Sequence, residues 1–207
     1  MRGNPWPHDM VLGVESRPHQ LLELLWIREA HHLERLGDDL PPVLAQTPAP
    51  AAHKIDDVTR VAWESAWTRI WSQALAHVGR DDDPSLLHRL ADPALSADAH
   101  QSLMQSLIGP DWGGEFGRDV FDDPSWTEWN RRHVEEVLVS VSRPLRDSPE
   151  RRVLDVLIPA WRAGLTKVVT VPCSGQYTRK LSSNALLVTD SIQSDDDSYR
   201  AALCSFV

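Results

Sequence analysis

Between positions 56 and 78 apolar residues return every three or four positions. Trp63, Trp67 and Trp71 are spaced by four, with Ile70, Ala74, Leu75 and Val78 beside them. At about 100° per residue these side chains share one face of an α-helix. The spacing predicts a helix over 56–78. Asp56 and Asp57 sit at its positive end, and Gly79 follows its last turn. The stripe reads as the core that the other elements cover.

The same period recurs along the chain. Leu21, Leu22, Leu25, Trp26, His32 or Leu33, and Leu36 predict a helix over 18–36, closed by Gly37. Shorter helices are expected over 85–90 and from Ser96 to Ile108, the second stopped by Gly109 and Pro110. Asp123 and Pro124 open a long helix to about Arg143, with Trp126, Trp129, His133, Val134, Val137, Leu138 and Val141 at helical spacing. Pro144 ends it. Ser148 and Pro149 open another, carrying Val153, Val156, Leu157 and Trp161, with a kink expected at Pro159 and a stop at Gly164.

The pattern changes after Thr166. KVVTV (167–171) is short and β-branched, and QYTRKL (176–181) and ALLVTDSI (185–192) follow it across turns. These predict a three-stranded antiparallel meander. DDDSYRAALCSF (195–206) predicts a terminal helix with three aspartates at its start. The expected fold is therefore α+β in a single domain, 1–207. It has a mainly α-helical body over 17–164, a small C-terminal antiparallel sheet over 165–207, and a terminal helix.

Two stretches carry no period. Residues 1–16, with Trp6 between Pro5 and Pro7, read as irregular. Residues 38–54 contain Pro41, Pro42, Pro48 and Pro50, which favour extended backbone. This linker is long for a compact domain, so it either wraps the surface or is mobile.

Composition narrows the function classes. Nine tryptophans in 207 residues supply a sizeable core without disulfides or a structural metal. A net charge of −9 disfavours non-specific binding to nucleic acid and to anionic membranes. There are two cysteines, too few for a disulfide framework. The apolar-leaning run from Met10 to Val14 is too short for the core of a signal peptide, and no run reaches a membrane span. A cytoplasmic location is expected, with no nucleic-acid or membrane partner.

Cys173 and Arg179 stand in a C-x5-R spacing. Cysteine-dependent phosphatases use that spacing: backbone amides curl around a phosphate, the arginine grips its oxygens, and the thiol pKa falls. Here the residues after Arg179 read as turn and strand rather than helix, so a plain hairpin turn is the competing reading. Glu29 and His32 form one Glu-x-x-His pair, and His19 with Glu23 and His133 with Glu136 form others at helical spacing. His19, Glu29, His32 and His133 are thus metal-ligand candidates, against the reading of ordinary hydrogen-bonded histidines. WGGEFG (112–117) lacks the spacing of a phosphate loop and reads as a turn packing Trp112 and Phe116 onto the body. The arginines at 131, 132, 143, 146, 151 and 152 alternate with carboxylates, as on a solvated mixed-charge face. Arg60 falls on the tryptophan stripe one turn before Trp63 and Glu64. If it points into a cavity with Trp63 or Trp67, that cavity is a ligand site; otherwise it snorkels outwards.

No catalytic constellation and no cofactor motif emerges. The leading expectation is a non-catalytic interaction or regulatory protein with an unidentified protein partner. The alternative is a hydrolase, either phosphatase-like through Cys173 and Arg179 or metal-dependent through His and Glu ligands.

Overall fold

The computed structural model describes residues 6–34, 37, 39–81, 83–141 and 147–207. The chain opens with strand β1 (Gly13–Ser16) and helix α1 (His19–Ala30). Helices α2 (Asp57–Val78), α3 (Pro84–Leu90), α4 (Ala97–Ile108) and α5 (Gly113–Phe116) follow. A 3-10 turn (Asp119–Asp122) leads to α6 (Pro124–Val141), α7 (Pro149–Arg152) and α8 (Leu154–Arg162). Strands β2 (Lys167–Val171), β3 (Thr178–Lys180) and β4 (Ala185–Thr189) come next, then α9 (Asp190–Ser194) and α10 (Asp196–Cys204). The class is α+β, dominated by helices.

The sheet differs from the expected meander. It has four strands in the order β1-β2-β4-β3. β1 pairs with β2 in parallel, β2 with β4 in parallel, and only β3 with β4 is antiparallel. The N-terminal stretch read as irregular thus supplies an edge strand, and β3 is displaced to the other edge. The reason lies in burial. β2 and β4 are almost continuously buried, as a strand must be when both sheet faces are covered, and parallel pairing is the usual partner of such burial.

Alternate residues of those strands feed two cores. Val169, Val171 and Leu187 pack with Leu21, Leu25, Trp26, Trp67 and Trp71 of α1 and α2. Val168, Leu186 and Val188 pack on the opposite face with Leu157, Tyr199 and Leu203 of α8 and α10. The period-two alternation of β2 and β4 therefore divides the molecule into three layers.

α2 forms where the tryptophan spacing places it. Asp56 caps it, its Oδ1 accepting from the Thr59 amide at 2.7 Å. Trp71 is fully buried and Trp67 nearly so, while Trp63 is half-buried. Truncating a buried ring of this size to alanine costs roughly 3–5 kcal/mol. α1 is shorter than its stripe: it stops at Ala30 because the chain turns through His32, at φ +52°, to bury Leu33. Leu36 lies outside the described residues. Trp6 is half-buried and donates to the Met10 carbonyl at 2.9 Å.

The 149–162 helix breaks at Val153, six residues before the expected kink at Pro159, because Val153 is itself fully buried with φ −119°. The glycine-rich stretch holds the short α5, with Trp112 buried and stacked on Phe116 at 4.6 Å. The predicted strand over 185–192 ends at Thr189, whose side chain caps α9. The predicted continuation of α6 to about Arg143 and its stop at Pro144 lie outside the described residues, as does Arg146.

The Pro-rich linker wraps the body. Buried Arg28 donates to the carbonyls of Pro41 and Pro42 at 2.8 and 2.6 Å. Leu44 bridges to Cys173, Ala51 donates to Ala30, and Trp129 donates to the Gln46 carbonyl. No helix among the described residues is long and apolar enough to cross a membrane.

Candidate functional site

Cys173 follows β2 as a buried thiol. The neighbouring Ser174 amide donates to the Val43 carbonyl at 2.8 Å. Arg179 lies in β3, where it pairs with Asp39 at 3.3 Å and donates to the Asp39 carbonyl. The arginine and the first amide of a would-be phosphate cradle are therefore directed at Asp39 and Val43. A strand, not a helix, follows them.

The histidine and glutamate candidates are dispersed. His19 pairs with Glu23 at 3.0 Å, and Glu23 also takes Arg118. Glu29 accepts from Arg28 at 2.8 Å, and His32 stands in the turn after α1. His133 is buried on α6, its Nδ1 2.9 Å from the Trp129 carbonyl. Among the described residues no three His, Cys, Asp or Glu side chains are grouped as metal ligands.

Arg60 reaches the end of the neighbouring helix. Its guanidinium donates to the His31 carbonyl at 2.7 Å, just past the end of α1. Trp63 lies edge-on to His31 and Trp112, each at 5.0 Å between ring centres. Trp67 donates to the Leu24 carbonyl at 2.6 Å and stacks on Trp71.

A concave feature among the described residues lies elsewhere. The three parallel strands β1, β2 and β4 end side by side. Arg17 follows β1, Pro172 and Cys173 follow β2, and Asp190 follows β4. Ligands of sheets with parallel strands commonly bind at such carboxyl ends. Here a cleft of about 870 Å³ opens, walled by α6, α7 and α9. A cavity of about 190 Å³ adjoins it, sharing Arg17, Gln46, Glu136 and Asp190 and adding His133 and Cys173. Two residues that the sequence assigned to different chemistries, His133 and Cys173, thus face one space.

Arg17 organises this edge. It has φ +56°, a left-handed conformation unusual for a side chain bearing a Cβ, and it precedes Pro18. Its amide donates to the Thr170 carbonyl at 2.9 Å, and its guanidinium reaches Glu136 at 2.7 Å and Asp190 at 2.8 Å. Burial opposes its charge, but the two carboxylates outweigh burial and hold it firmly protonated. For Glu136, burial acts to raise the pKa, yet the hydrogen bonds from Arg17 and Gln46 prevail and lower it. Burial, with the Arg17 charge adding to it, depresses the His133 pKa against the pull of the Trp129 carbonyl. The Trp129 carbonyl accepts from Nδ1, which leaves Nε2 as the acceptor nitrogen of the neutral ring.

Carboxylates outnumber cations along the cleft. Among the described lining residues Glu135, Glu136, Asp147, Glu150 and Asp190 stand against Arg17 and Arg132. Arg132 is held by Glu128 at 2.7 Å, and Arg131 by Glu128 and Glu135, as the mixed-charge pattern anticipated. Glu150 is nearly buried and accepts from Gln193 at 2.8 Å.

Sequence reasoning did not find Arg17, Asp190 or Glu150. Each follows a strand or opens a helix, far from the others in the chain. The one available signal was the Arg-Pro step after a short apolar run. Comparison of the chain with protein-family models, with curated proteins and with solved structures finds no match.

Proposed function

We propose that this is a non-catalytic binding protein of the cytoplasm whose cleft receives positively charged groups, and that it acts as an interaction or regulatory component. One observation carries the reading. Among the described residues the cleft is lined by five carboxylates, Glu135, Glu136, Asp147, Glu150 and Asp190, and by two arginines, Arg17 and Arg132, which gives its lining a negative formal charge and field. Partly walled, low-dielectric clefts concentrate such a field. The volume is within the range of small-molecule sites. Nucleic acids and anionic membranes are repelled by the same field.

The test is thermal denaturation and calorimetry with spermine, at low and at physiological salt. Spermine is expected to raise Tm, with affinity falling as salt rises. Inorganic phosphate is expected to leave Tm unchanged. Stabilisation by phosphate and not by spermine would overturn the reading.

A thiol-dependent hydrolase is the second reading, favoured by the shared cavity of His133 and Cys173. A neutral imidazole beside a thiol is the arrangement that activates sulfur nucleophiles. It calls for Cys173 to react with iodoacetamide faster than a denatured-state thiol and for Cys173→Ser to abolish any hydrolysis of p-nitrophenyl acetate. Slower alkylation than in urea ends it.

A further inference from the structure

The Pro-rich linker crosses the strand ends as a strap with fixed flanks. Arg28 holds the carbonyls of Pro41 and Pro42, and the Ala51 and Ala52 amides donate to Ala30 and Asp123. Between these anchors the chain pairs with the residues that follow β2. The Ser174 amide donates to the Val43 carbonyl at 2.8 Å, and the Ala45 amide to the Pro172 carbonyl at 2.9 Å. These bonds flank Leu44 and Cys173 without joining them, which makes the two a narrow pair of an antiparallel ladder. Side chains of such a pair are close neighbours on one face. Leu44 therefore shields the Cys173 thiol, and the two residues are 2% and 1% exposed.

The strap is also a wall. Ala45 and Gln46 line the cavity of about 190 Å³ together with Cys173 and His133. The Gln46 side chain donates to Glu136 at 2.7 Å, and its carbonyl accepts from the Trp129 indole at 2.9 Å. Yet of residues 43–47 Leu44 alone is buried. A segment with one buried side chain and exposed backbone hydrogen bonds opens far more readily than the whole fold. Pro42 and Pro48 bound it, and their fixed φ confines the movement to the residues between them.

We propose that residues 43–47 are a strap that lifts from the strand ends while both flanks stay bound, and so gates access to the cavity that Cys173 and His133 line. Lifting withdraws Leu44 from the thiol and Gln46 from Glu136. It opens the cavity towards the adjoining cleft, which shares Arg17, Glu136 and Asp190 with it. The gate goes beyond cation binding and does not depend on it.

The probe is iodoacetamide on the full chain carrying Cys204→Ser, which removes the exposed thiol and leaves Cys173 as the remaining cysteine. Mass spectrometry gives the alkylation rate at rising urea. Cys173 is expected to react roughly tenfold or more slowly than in the unfolded chain. Its rate should stay nearly flat in urea until the global transition, since lifting so short a segment exposes little surface. Gln46→Ala is expected to raise that flat rate about tenfold, because it removes a hydrogen bond to a charged group. Amide hydrogen exchange is the second readout. The Ala45 and Ser174 amides lose their partners together when the strap lifts. They are expected to share one opening constant, larger than that of the β2 and β4 amides and raised by the same factor in Gln46→Ala.

An alkylation rate that climbs with the global slope from zero urea overturns the strap, because the thiol is then reached only by unfolding. Ala45 and Ser174 amides that exchange together with those of β2 and β4 overturn it as well, whether or not Gln46→Ala folds. So does a Gln46→Ala chain that matches wild type by both readouts. Alkylation faster than in the unfolded chain means an open, activated thiol: it overturns the gate and is the result that the hydrolase reading calls for.

Discussion

Arg60, on the first turn of α2, donates to the His31 carbonyl 2.7 Å away, where α1 has just ended. Helix ends leave carbonyls without intrahelical partners, and their negative potential favours a cation. The side chain at the start of the tryptophan stripe thus serves the neighbouring helix. Arg60→Ala is expected to destabilise the fold by about 1 kcal/mol, the worth of a half-exposed, charge-assisted bond. Urea denaturation checks it: the midpoint falls and the slope holds. Spermine affinity is expected to be unchanged, because Arg60 is not among the cleft residues.

Arg28 ties the Pro-rich linker to α1. Its guanidinium is 2% exposed and donates to Pro41, Pro42 and Glu29. It also lies over the Trp67 ring at 5.3 Å. Arg28→Met keeps much of the volume but leaves two proline carbonyls without their donor. A loss of about 3 kcal/mol is expected. Limited proteolysis gives the sharper readout, with new cuts inside 38–54 before global unfolding.

Such contacts explain how far the sequence could be read. α2 was legible because Trp67, Ile70, Trp71, Ala74, Leu75 and Val78 obey one local period and are all buried on one face. The linker could be recognised from its prolines, but not its path, which depends on Arg28, Trp129 and Cys173 from three distant places. The sheet was legible as strands and not as pairings. β1 has four mostly exposed residues, too few to show alternation, and its partner lies about 150 residues away at Lys167–Val171. The cleft inherits that obscurity. Arg17, Glu136 and Asp190 meet only because β1 and β4 flank β2 in parallel.

His31 predicts an acid-sensitive fold. Burial, with a smaller contribution from Arg60 and His32 outweighing the attraction of Asp123, lowers its pKa from 6.5 to about 4. Its Nε2 is buried without a hydrogen-bond partner, and its ring lies edge-on to Trp26 and Trp63. A histidine whose folded pKa is depressed binds its proton more readily when unfolded. Its contribution is complete above about pH 6.5 and is lost as pH falls towards about 4. His133, depressed for a similar reason, acts in the same direction. Wild-type stability is expected to fall by about 1–3 kcal/mol across that window. His31→Leu should flatten the profile there, as judged from urea midpoints measured at successive pH values. A profile with unchanged slope in the variant would remove His31 as the cause.

Arg17 combines strain, charge and position, and substitutions separate the three. At φ +56° a glycine is comfortable and an alanine is not. Both substitutions remove the pairs to Glu136 and Asp190, so both should destabilise. Arg17→Gly should be less affected than Arg17→Ala by about 1 kcal/mol, because it relieves the left-handed backbone. Both also unmask two carboxylates at the mouth of the cleft. Spermine affinity at low salt is therefore expected to rise several-fold in either variant, and the gain should shrink as salt is added. The Glu136 carboxyl, now held low in part by Arg17, should titrate closer to the ordinary glutamate range, as carbon-detected NMR would show. Stability that falls with no gain in spermine affinity would mean that the cations bind away from the strand ends.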